Sequence, residues 1–280
     1  MVVTLDGNKI ISGSSDETIK VWDLYRGEEL LTLSGHSDSV YSVVVTPDGN
    51  QIISGSRDKT IKVWDLQTGK ELRTLTGHSD WVYSVVVTPD GNKIISGSCD
   101  NTIKVWDLDR GKELQTLTGD SSGVKSVVVT QDGNTIISGS MYGTIKVWDL
   151  QTGKELRTLT GHSDSVDSVV VTPDGNTIIS GSRDKTVKVW DLHTGKELRT
   201  FTGNSSGVKS VVVTTDGNKI ISGSRDNTIK VWDLHTGNCL ATFIADAMIH
   251  CCAVTEIIDD EMIIIAGDQG GMVHFLRWKE

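Results

Sequence analysis

The chain has 280 residues, a formal net charge of −10 and a hydrophobic content of 37%. This acidic balance argues against general binding to DNA, RNA or an anionic membrane, because polyanions require a cationic footprint. No apolar run approaches the roughly 20 residues of a membrane helix, and residues 1–4 lead into repeat sequence rather than a signal peptide. We therefore expect a cytoplasmic protein that binds neither nucleic acid nor membrane.

Six Trp-Asp pairs recur at one fixed interval along the chain. The tryptophans of these pairs are Trp22, Trp64, Trp106, Trp148, Trp190 and Trp232. The repeat unit is the stretch from one Trp-Asp pair to the next. It is too short to bury a hydrophobic core alone, so neighbouring units must stack on one another. The unbroken period predicts a single domain that spans residues 1–280.

Within one unit, turn signals follow one another at short, regular spacing. In the unit 35–76 they separate four short segments with strand composition, namely residues 40–46, 51–56, 60–66 and 71–75. The last of these segments is the most polar, as expected of a strand at the rim. Four short antiparallel strands in each unit predict one blade of a β-propeller.

The unit also has three recurring short motifs: Gly-His at its start, a Ser-x-Asp turn and a Trp-Asp ending. With these motifs the chain resembles the WD-repeat (tryptophan–aspartate repeat) β-propeller family over essentially its whole length. Its high internal identity is similar to that of the arrays that end large bacterial multidomain signalling proteins. The resemblance implies a scaffold or sensor platform that is not an enzyme and needs no cofactor.

Counting units predicts an all-β, seven-bladed propeller of four-stranded antiparallel blades. The first blade is truncated at its N-terminal side, because residues 1–4 align with residues 43–46. The last unit diverges in sequence and contains only three predicted strands. The predicted blades are 1–34, 35–76, 77–118, 119–160, 161–202, 203–244 and 245–280.

The missing fourth strand of the last blade leaves three alternatives for its edge. Propellers of the family usually complete this blade with the segment that precedes the first blade. Here we expect an exposed edge, a strand donated by another chain, or a longer parent protein whose upstream repeats or other domains are absent from this sequence. The start of the sequence within a strand favours the last of these. The second of these alternatives predicts an oligomer.

The resemblance implies a hydrogen-bond network in three blades, each with a histidine, serine, aspartate and tryptophan. Buried indole, hydroxyl, carboxylate and imidazole groups all require partners. The predicted sets are His36, Ser54, Asp58 and Trp64; His78, Ser96, Asp100 and Trp106; and His162, Ser180, Asp184 and Trp190. The fourth blade has Asp120 and Tyr142 at the histidine and aspartate positions, and the last unit has lost the whole set. The sixth has Asn204 beside a retained Asp226, and we expect this amide still to donate.

Catalysis is the competing interpretation of the serine, histidine and aspartate residues. A hydrolase triad needs one site, whereas this set recurs in three blades. The histidines lack metal-ligand spacing, so we expect no metal. We interpret the remaining histidines as solvated or packed and the cysteines as free thiols. They are His193, His235, His250 and His274, and Cys99, Cys239, Cys251 and Cys252.

Two positions differ sharply between otherwise similar units: the residue before the turn aspartate, and the residues around the start of the inner strand. The resemblance implies that both map to one face, around the mouth of the central channel, where the family commonly grips peptides. The predicted partner-binding residues are Tyr41, Arg57, Trp81, Tyr83, Lys125, Asp167, Arg183, Lys209 and Arg225.

These residues predict an aromatic cluster and a group of five cations, which suit a protein or peptide partner. One specific alternative is a reader of phosphorylated or acidic peptides that uses Arg57, Arg183 and Arg225. The sequence is also compatible with an oligomer-forming structural ring, and with drift between duplicated units. A channel-site enzyme is disfavoured, because only Asp167 is acidic among the inner-strand start positions.

Overall fold

The computed structural model describes residues 1–119, 122–255 and 261–279. Within these ranges every helix or strand segment is a β-strand, and the strands form seven antiparallel sheets. Six sheets have four strands and the last has three. The fold is therefore a seven-bladed β-propeller, as the sequence predicts.

The strands of each blade follow chain order across their sheet. The first three blades contain β1 (Val2–Val3), β2 (Lys9–Gly13), β3 (Thr18–Asp23) and β4 (Glu29–Ser34); β5 (Val40–Val45), β6 (Gln51–Ser56), β7 (Ile61–Asp65) and β8 (Glu71–Leu75); and β9 (Val82–Val87), β10 (Lys93–Ser98), β11 (Thr102–Asp107) and β12 (Glu113–Thr118). The fourth and fifth contain β13 (Val124–Val129), β14 (Thr135–Ser140), β15 (Ile145–Asp149) and β16 (Glu155–Leu159); and β17 (Val166–Val171), β18 (Thr177–Ser182), β19 (Val187–Asp191) and β20 (Glu197–Phe201). The last two contain β21 (Val208–Val213), β22 (Lys219–Ser224), β23 (Thr228–Asp233) and β24 (Cys239–Ile244); and β25 (Ile249–Val254), β26 (Glu261–Asp268) and β27 (Val273–Lys279).

Both terminal blades match their predicted form. The inner strand β1 of the first blade has only two residues, and these pair with Ile10 and Ile11 of β2. The last blade contains three strands, and β27 pairs with β26 along its whole length. Among the described residues, no helix has the length and apolar character needed to span a bilayer.

The chain divides into two compact units. The first unit contains residues 1–138 and 148–155, and the second contains residues 139–147 and 156–280. The first therefore holds blades one to three with part of the fourth, and the second holds the rest of the fourth with blades five to seven.

The cores of both units lie between successive blades. In the first unit, Val63 and Leu75 of the second blade pack with Val82 and Trp106 of the third. In the second unit, Phe201 stacks on Trp232 of the following blade, with ring centres 5.6 Å apart and planes 14° from parallel. The apolar runs of the inner strands are thus covered on both faces, as expected for buried strands.

A glycine on the second strand permits this close packing. A Cβ atom added to Gly55 would lie 2.8 Å from Cγ1 of Val82 and 3.0 Å from Cγ1 of Val85. Real Cβ atoms do not approach neighbours so closely without displacing them, because protein interiors are already close-packed. The Ser-Gly-Ser segment of β6 therefore brings the inner strand of the third blade against it.

Candidate functional surfaces

Among the blades whose inner-strand register is described, the second residue of the inner strand is the extra residue of a β-bulge in five. In β5, for example, Val40 pairs with Ser56 and Ser42 pairs with Gly55, so Tyr41 is left out of the ladder. The bulged residues are Tyr41, Tyr83, Asp167, Lys209 and His250. A bulge bends its strand and changes the direction of a side chain. The most variable position of the repeat therefore also has a backbone geometry that differs from that of the regular strand around it.

The second variable position, before the turn aspartate, is fixed to the start of the same inner strand. The backbone N–H of Arg57 donates to the carbonyl oxygen of Ser39 at 2.9 Å, and Cys99 donates in the same way to Trp81 at 2.8 Å. Arg225 likewise donates to Gly207 at 2.9 Å. These bonds hold the two variable places of one blade next to each other.

In the first unit the structure brings three predicted aromatic residues into mutual contact. The ring centre of Tyr41 lies 5.1 Å from that of Tyr83 and 6.4 Å from that of Trp81. Trp81 and Tyr83 meet edge to face, with centres 6.1 Å apart and planes at 83°. Such contacts contribute about 0.5–1.5 kcal/mol beyond area burial.

Two predicted cations cover these rings. The guanidinium carbon of Arg57 lies 4.4 Å from the centre of the Trp81 ring, and Nζ of Lys125 lies 3.3 Å from the centre of the Tyr83 ring. We call Tyr41, Arg57, Trp81, Tyr83 and Lys125 the aromatic site. Each cation is attracted by the negative face of its ring, so the site is pre-ordered.

The two phenols of the aromatic site stay protonated, and its guanidinium is exposed. Partial burial raises the pKa of the Tyr41 and Tyr83 phenols, which therefore keep their protons near neutral pH. Burial likewise raises the pKa of the Cys99 thiol. The guanidinium of Arg57 lies 3.6 Å from the carboxylate of Asp38, and both side chains are exposed. An exposed pair of this kind contributes little stability and can exchange partners.

In the second unit, one buried carboxylate binds two predicted cations. Oδ2 of Asp167 accepts hydrogen bonds from Arg183 Nε at 3.1 Å and from Lys209 Nζ at 2.9 Å. Oδ1 of the same group accepts from the Ser165 hydroxyl at 2.9 Å, and the Asp167 side chain is only 3% exposed. We call these four residues the Asp167 cluster.

Charge balance in the Asp167 cluster differs from the sequence-based expectation. Burial alone would raise the pKa of Asp167, but the charges of Lys209 and Arg183 and the hydrogen bonds from Lys209 and Ser165 outweigh burial and hold the pKa below its usual range. The sequence-based interpretation placed Arg183 and Lys209 among five cations offered to a partner. Asp167 offsets one of these two charges, because a carboxylate buried beside cations stays ionised.

The four residue types of the network meet in three blades. In the second blade the His36 ring contacts Asp58 Oδ2 and Ser54 Oγ, both at 2.7 Å, and Trp64 Nε1 donates to Ser54 Oγ at 2.9 Å. The third and fifth blades make the same contacts at distances between 2.7 and 2.9 Å. Their residues are His78, Ser96, Asp100 and Trp106, and His162, Ser180, Asp184 and Trp190.

Burial and hydrogen bonding shift the acids and bases of the second-blade set. Burial opposes ionisation of Asp58, but the bonds from Thr60 and His36 outweigh it and lower the pKa of Asp58. Burial is also the main reason why the pKa of His36 is lowered, although Asp58 acts in the opposite direction.

The sixth blade departs from the prediction made for it. Both polar atoms of the buried Asn204 amide lack a hydrogen-bond partner among the described residues, so the expectation that this amide still donates is wrong. The amide group lies closer to the backbone than Nε2 of an imidazole and does not reach the hydroxyl of Ser222. Ser222 still accepts from Trp232 Nε1 at 2.9 Å, and Asp226 accepts from the Ser205 backbone N–H at 2.7 Å.

The fourth and seventh blades differ in other ways. Tyr142, at the aspartate position of the fourth blade, is 76% exposed. Asp120, at its histidine position, lies outside the described residues. The last blade has a different pair: Nε2 of His274 lies 2.9 Å from Oδ2 of Asp268. Sequence reasoning had no signal for this pair, because neither residue occupies a network position.

The sequence predicts solvated or packed side chains for the remaining histidines and free thiols for the cysteines. His193 and His235 are exposed, and each contacts an asparagine side-chain oxygen, at 3.1 and 3.2 Å. The four cysteines are free thiols. Among the residues that the structure describes, no group of three or more His, Cys, Asp or Glu side chains is arranged to hold a metal ion.

An open cavity of about 420 Å³ lies between the fifth and sixth blades of the second unit. Its lining includes Pro173, Asp174, Arg199, Asp216 and His235. Arg199 is already bonded there to the carbonyl oxygens of His235 and Thr236, at 2.6 and 3.1 Å. None of the predicted partner-binding residues lines this cavity, so it does not mark the candidate surfaces.

Sequence reasoning missed two residues at these surfaces. His250 occupies the bulged position of the last blade, and aligning Ile249-His250 with Val208-Lys209 would have identified it. Asp38 does not vary between the units that retain Ser-Asp at this place, so comparing units gave no reason to select it.

Comparisons with known proteins agree with this architecture. The sequence profile of the WD domain, G-beta repeat, matches residues 2–23, 27–65, 69–107, 111–149 and 153–191, which is more than half of the chain. The profile of the TEP-1 C-terminal beta-propeller matches residues 204–278.

Matches to individual proteins are confined to about one repeat. The nuclear distribution protein PAC1-2 of Postia placenta is 47% identical over 38 residues, which cover 14% of this chain and 9% of that protein. The dynein assembly factor with WD repeat domains 1 is 54% identical over 37 residues in both Xenopus laevis and Mus musculus, covering 13% of this chain and 9% of each relative. The aligned part of the chain thus covers less than a tenth of the length of each of these relatives. The repeat profile decides the family: the chain belongs to the WD-repeat proteins, whose propellers generally mediate protein–protein interactions.

Proposed function

We propose that this protein is a non-catalytic interaction scaffold that binds a partner protein or peptide through the aromatic site. The observation that carries the proposal is the contact of three aromatic rings covered by Arg57 and Lys125. Tyr41 is 41% exposed, so apolar ring surface remains open to a partner. Tryptophan, tyrosine and arginine are the residue types that dominate binding energy at protein interfaces.

The chemistry of the aromatic site suits a partner segment with one apolar and one acidic side chain. The apolar side chain would cover the open face of Tyr41. The acidic side chain would replace Asp38 at Arg57, because the present 3.6 Å pair is exposed and weak. Because the Trp81 ring already holds the Arg57 side chain in place, Arg57 loses little side-chain entropy when a partner binds.

A non-catalytic role is supported by the state of the triad-like residues. Each of the three network serines is already bonded to both an imidazole and an indole N–H, and these histidines are buried. A catalytic serine instead needs an open path to substrate. The same arrangement in three blades suits a structural role.

A pull-down that compares the wild-type chain with Trp81→Ala tests the proposal. We expect the variant to lose the partner, since a central interface tryptophan contributes about 2 kcal/mol or more, roughly 30-fold in affinity. The matched control is Tyr25→Ala, which removes an aromatic side chain that is 73% exposed in the turn after β3. Equal capture by wild type and Trp81→Ala would contradict the proposal.

A second candidate is a reader of phosphorylated or acidic peptides. Arg183, one of the three arginines first assigned to it, is bonded to Asp167, which leaves Arg57 and Arg225 as donors for a partner anion. The test is the affinity of acidic and phosphorylated peptides for the variant in which Arg57, Arg183 and Arg225 are all replaced by glutamine. An affinity equal to that of the wild type would exclude this candidate.

A further inference from the structure

We propose that Lys209, Arg225 and His250 form an oxyanion-binding site on the second unit, and that this site binds a carboxylate or phosphate group more tightly as the pH falls. We call these three residues the cationic site. The proposal rests on the proposed function only in taking a peptide as the source of the anion.

The inner strands β17, β21 and β25 follow one another by the same structural step. The Ser168 hydroxyl accepts the backbone N–H of Val211 at 3.1 Å, and the Ser210 hydroxyl accepts that of Cys252 at 3.0 Å. These are equivalent positions of successive blades, and each of the three strands has its bulge after the first residue.

This repeated step places His250 beside Lys209. Lys209 reaches back to the bulged residue of the preceding blade, Asp167, with a distance of 2.9 Å between Nζ and Oδ2. His250 occupies the bulged position one blade further on. Its side chain therefore lies next to Lys209 in the same relative position that Lys209 has next to Asp167. His250 is exposed, and it is therefore open to a ligand.

Arg225 adds a second cation beside the bulge of the sixth blade, where Lys209 lies. In the fifth blade the turn residue Arg183 reaches the bulged Asp167 of its own blade at 3.1 Å. Arg225 occupies the equivalent turn position, and its backbone is anchored in the same way. The bulged residue of its blade is the lysine Lys209. Within the part of the chain that the structure describes, the Arg225 guanidinium has no ion-pair partner.

The local charge is positive although the protein is acidic. Arg183 and Lys209 share one buried carboxylate, Asp167. With Arg225 at the equivalent turn position of the next blade, three positive charges accompany this one negative charge. Clustered cations around a partly desolvated position favour an oxyanion, which accepts several charge-assisted hydrogen bonds.

The groups that face His250 determine the effect of pH. They are Lys209 from β21, Arg225 from the turn before β23 and Asp268 from the end of β26. Loss of hydration and the two cations lower the pKa of His250, while Asp268, already bonded to His274, acts weakly in the opposite direction. A bound anion would favour the protonated imidazole. By linkage, the anion therefore binds more tightly as the pH falls through the pKa of His250.

The test uses the full chain and follows the histidine ring signals by NMR across pH 5–8. Sulfate serves as a tetrahedral probe that stands for phosphate, and acetate stands for carboxylate, each compared with chloride at equal ionic strength. We expect sulfate or acetate to raise the pKa of His250, and the probe with the larger effect identifies the preferred group. His193, which is exposed on another turn, is the internal reference and should not move.

Arg225→Gln provides the matched variant. We expect it to raise the His250 pKa in chloride, because one repelling cation is lost, and to weaken sulfate binding about tenfold or more. A sulfate response of equal size at His193 and His250, or one that Arg225→Gln leaves intact, would overturn the proposal. Trp81→Ala should leave this response unchanged, so failure of the aromatic site and failure of the cationic site are distinguishable.

Discussion

Nδ1 of His36 lies 2.7 Å from Oδ2 of Asp58, and the same ring contacts the Ser54 hydroxyl through its other nitrogen. This imidazole joins the segment before the inner strand to the turn after the second strand. Tyr41 follows the first segment and Arg57 immediately precedes Asp58. The structural network therefore holds the two variable positions of the blade in place, and a partner can be recognised there at little cost in entropy.

Asp58→Ala should lower the free energy of unfolding by about 2–3 kcal/mol, the cost of several stranded donors. The substitution leaves the His36 ring and the backbone N–H groups of Ser37 and Thr60 without their acceptor. Urea unfolding of the purified chain measures the change. The matched control is Asp226→Ala, which should cost less because no imidazole depends on that carboxylate. An unchanged unfolding midpoint for Asp58→Ala would show that the network contributes nothing to stability.

Asn204→His should stabilise the sixth blade by about 1–2 kcal/mol, the usual gain from pairing buried polar groups. The Asn204 amide is buried with both polar atoms unpaired, whereas the possible partners, Ser222 and Asp226, are already in place. An imidazole would satisfy both at once, as His36 does in the second blade. Thermal unfolding of the two proteins checks this, and the double variant Asn204→His/Asp226→Ala should lose most of the gain. A melting temperature at or below that of the wild type would refute the expectation.

Stability should fall in two stages as the solution is acidified. The folded-state pKa of His36 is lowered from 6.5, so the unfolded chain takes up a proton first, and stability is lost below about pH 6.5. The pKa values of Asp58 and Asp167 are lowered from 3.8, so their contribution is present above about pH 4 and is lost below it. Urea unfolding at pH 7.5, 5.5 and 3.5 measures both stages. His36→Gln should flatten the first stage, and a free energy that does not change between pH 7.5 and 5.5 would contradict it.

The repeat made most of the fold predictable. The period, the turns and the alternation of strand segments defined seven blades, and the divergent last unit still gave three strands because its apolar runs and its glycine-containing turns persist. Near-identical units have the same local structure, so a wrong strand or turn assignment in one unit is corrected by comparison with the other units.

The candidate surfaces were less predictable, for physical reasons. Comparing units showed that Asp167 and Lys209 vary, but not that Asp167 is buried and bonded to Lys209 of the next blade. That contact depends on the bulge and on the step between blades, which no single unit encodes. The failure of Asn204 to donate likewise depends on the reach of its side chain, which only the coordinates reveal. His250, by contrast, could have been found by aligning the last unit with the sixth.

Gly55→Ala should destabilise the first unit by about 1–3 kcal/mol, the usual cost of overpacking a core. The added methyl group would lie 2.8 Å from Cγ1 of Val82, so neighbouring side chains would have to shift. A double-mutant cycle with Val82→Ala isolates the clash: the two changes together should cost less than the sum of the separate changes, since the smaller side chain makes room. Strictly additive free energies of unfolding would show that the two sites do not compete for space.

Asp167→Asn should strengthen oxyanion binding at the cationic site while lowering stability by roughly 1–3 kcal/mol, the cost of weakening a buried acceptor. The amide keeps the shape of the carboxylate but removes the charge that Arg183 and Lys209 share, so two cations are released towards a ligand. Sulfate titration of the His250 signal, together with urea unfolding, measures both effects. The control is Asp38→Asn in the first unit, which should leave sulfate binding unchanged because its charge lies beside Arg57. If Asp167→Asn bound sulfate no better than the wild type, Lys209 would not be part of the anion site.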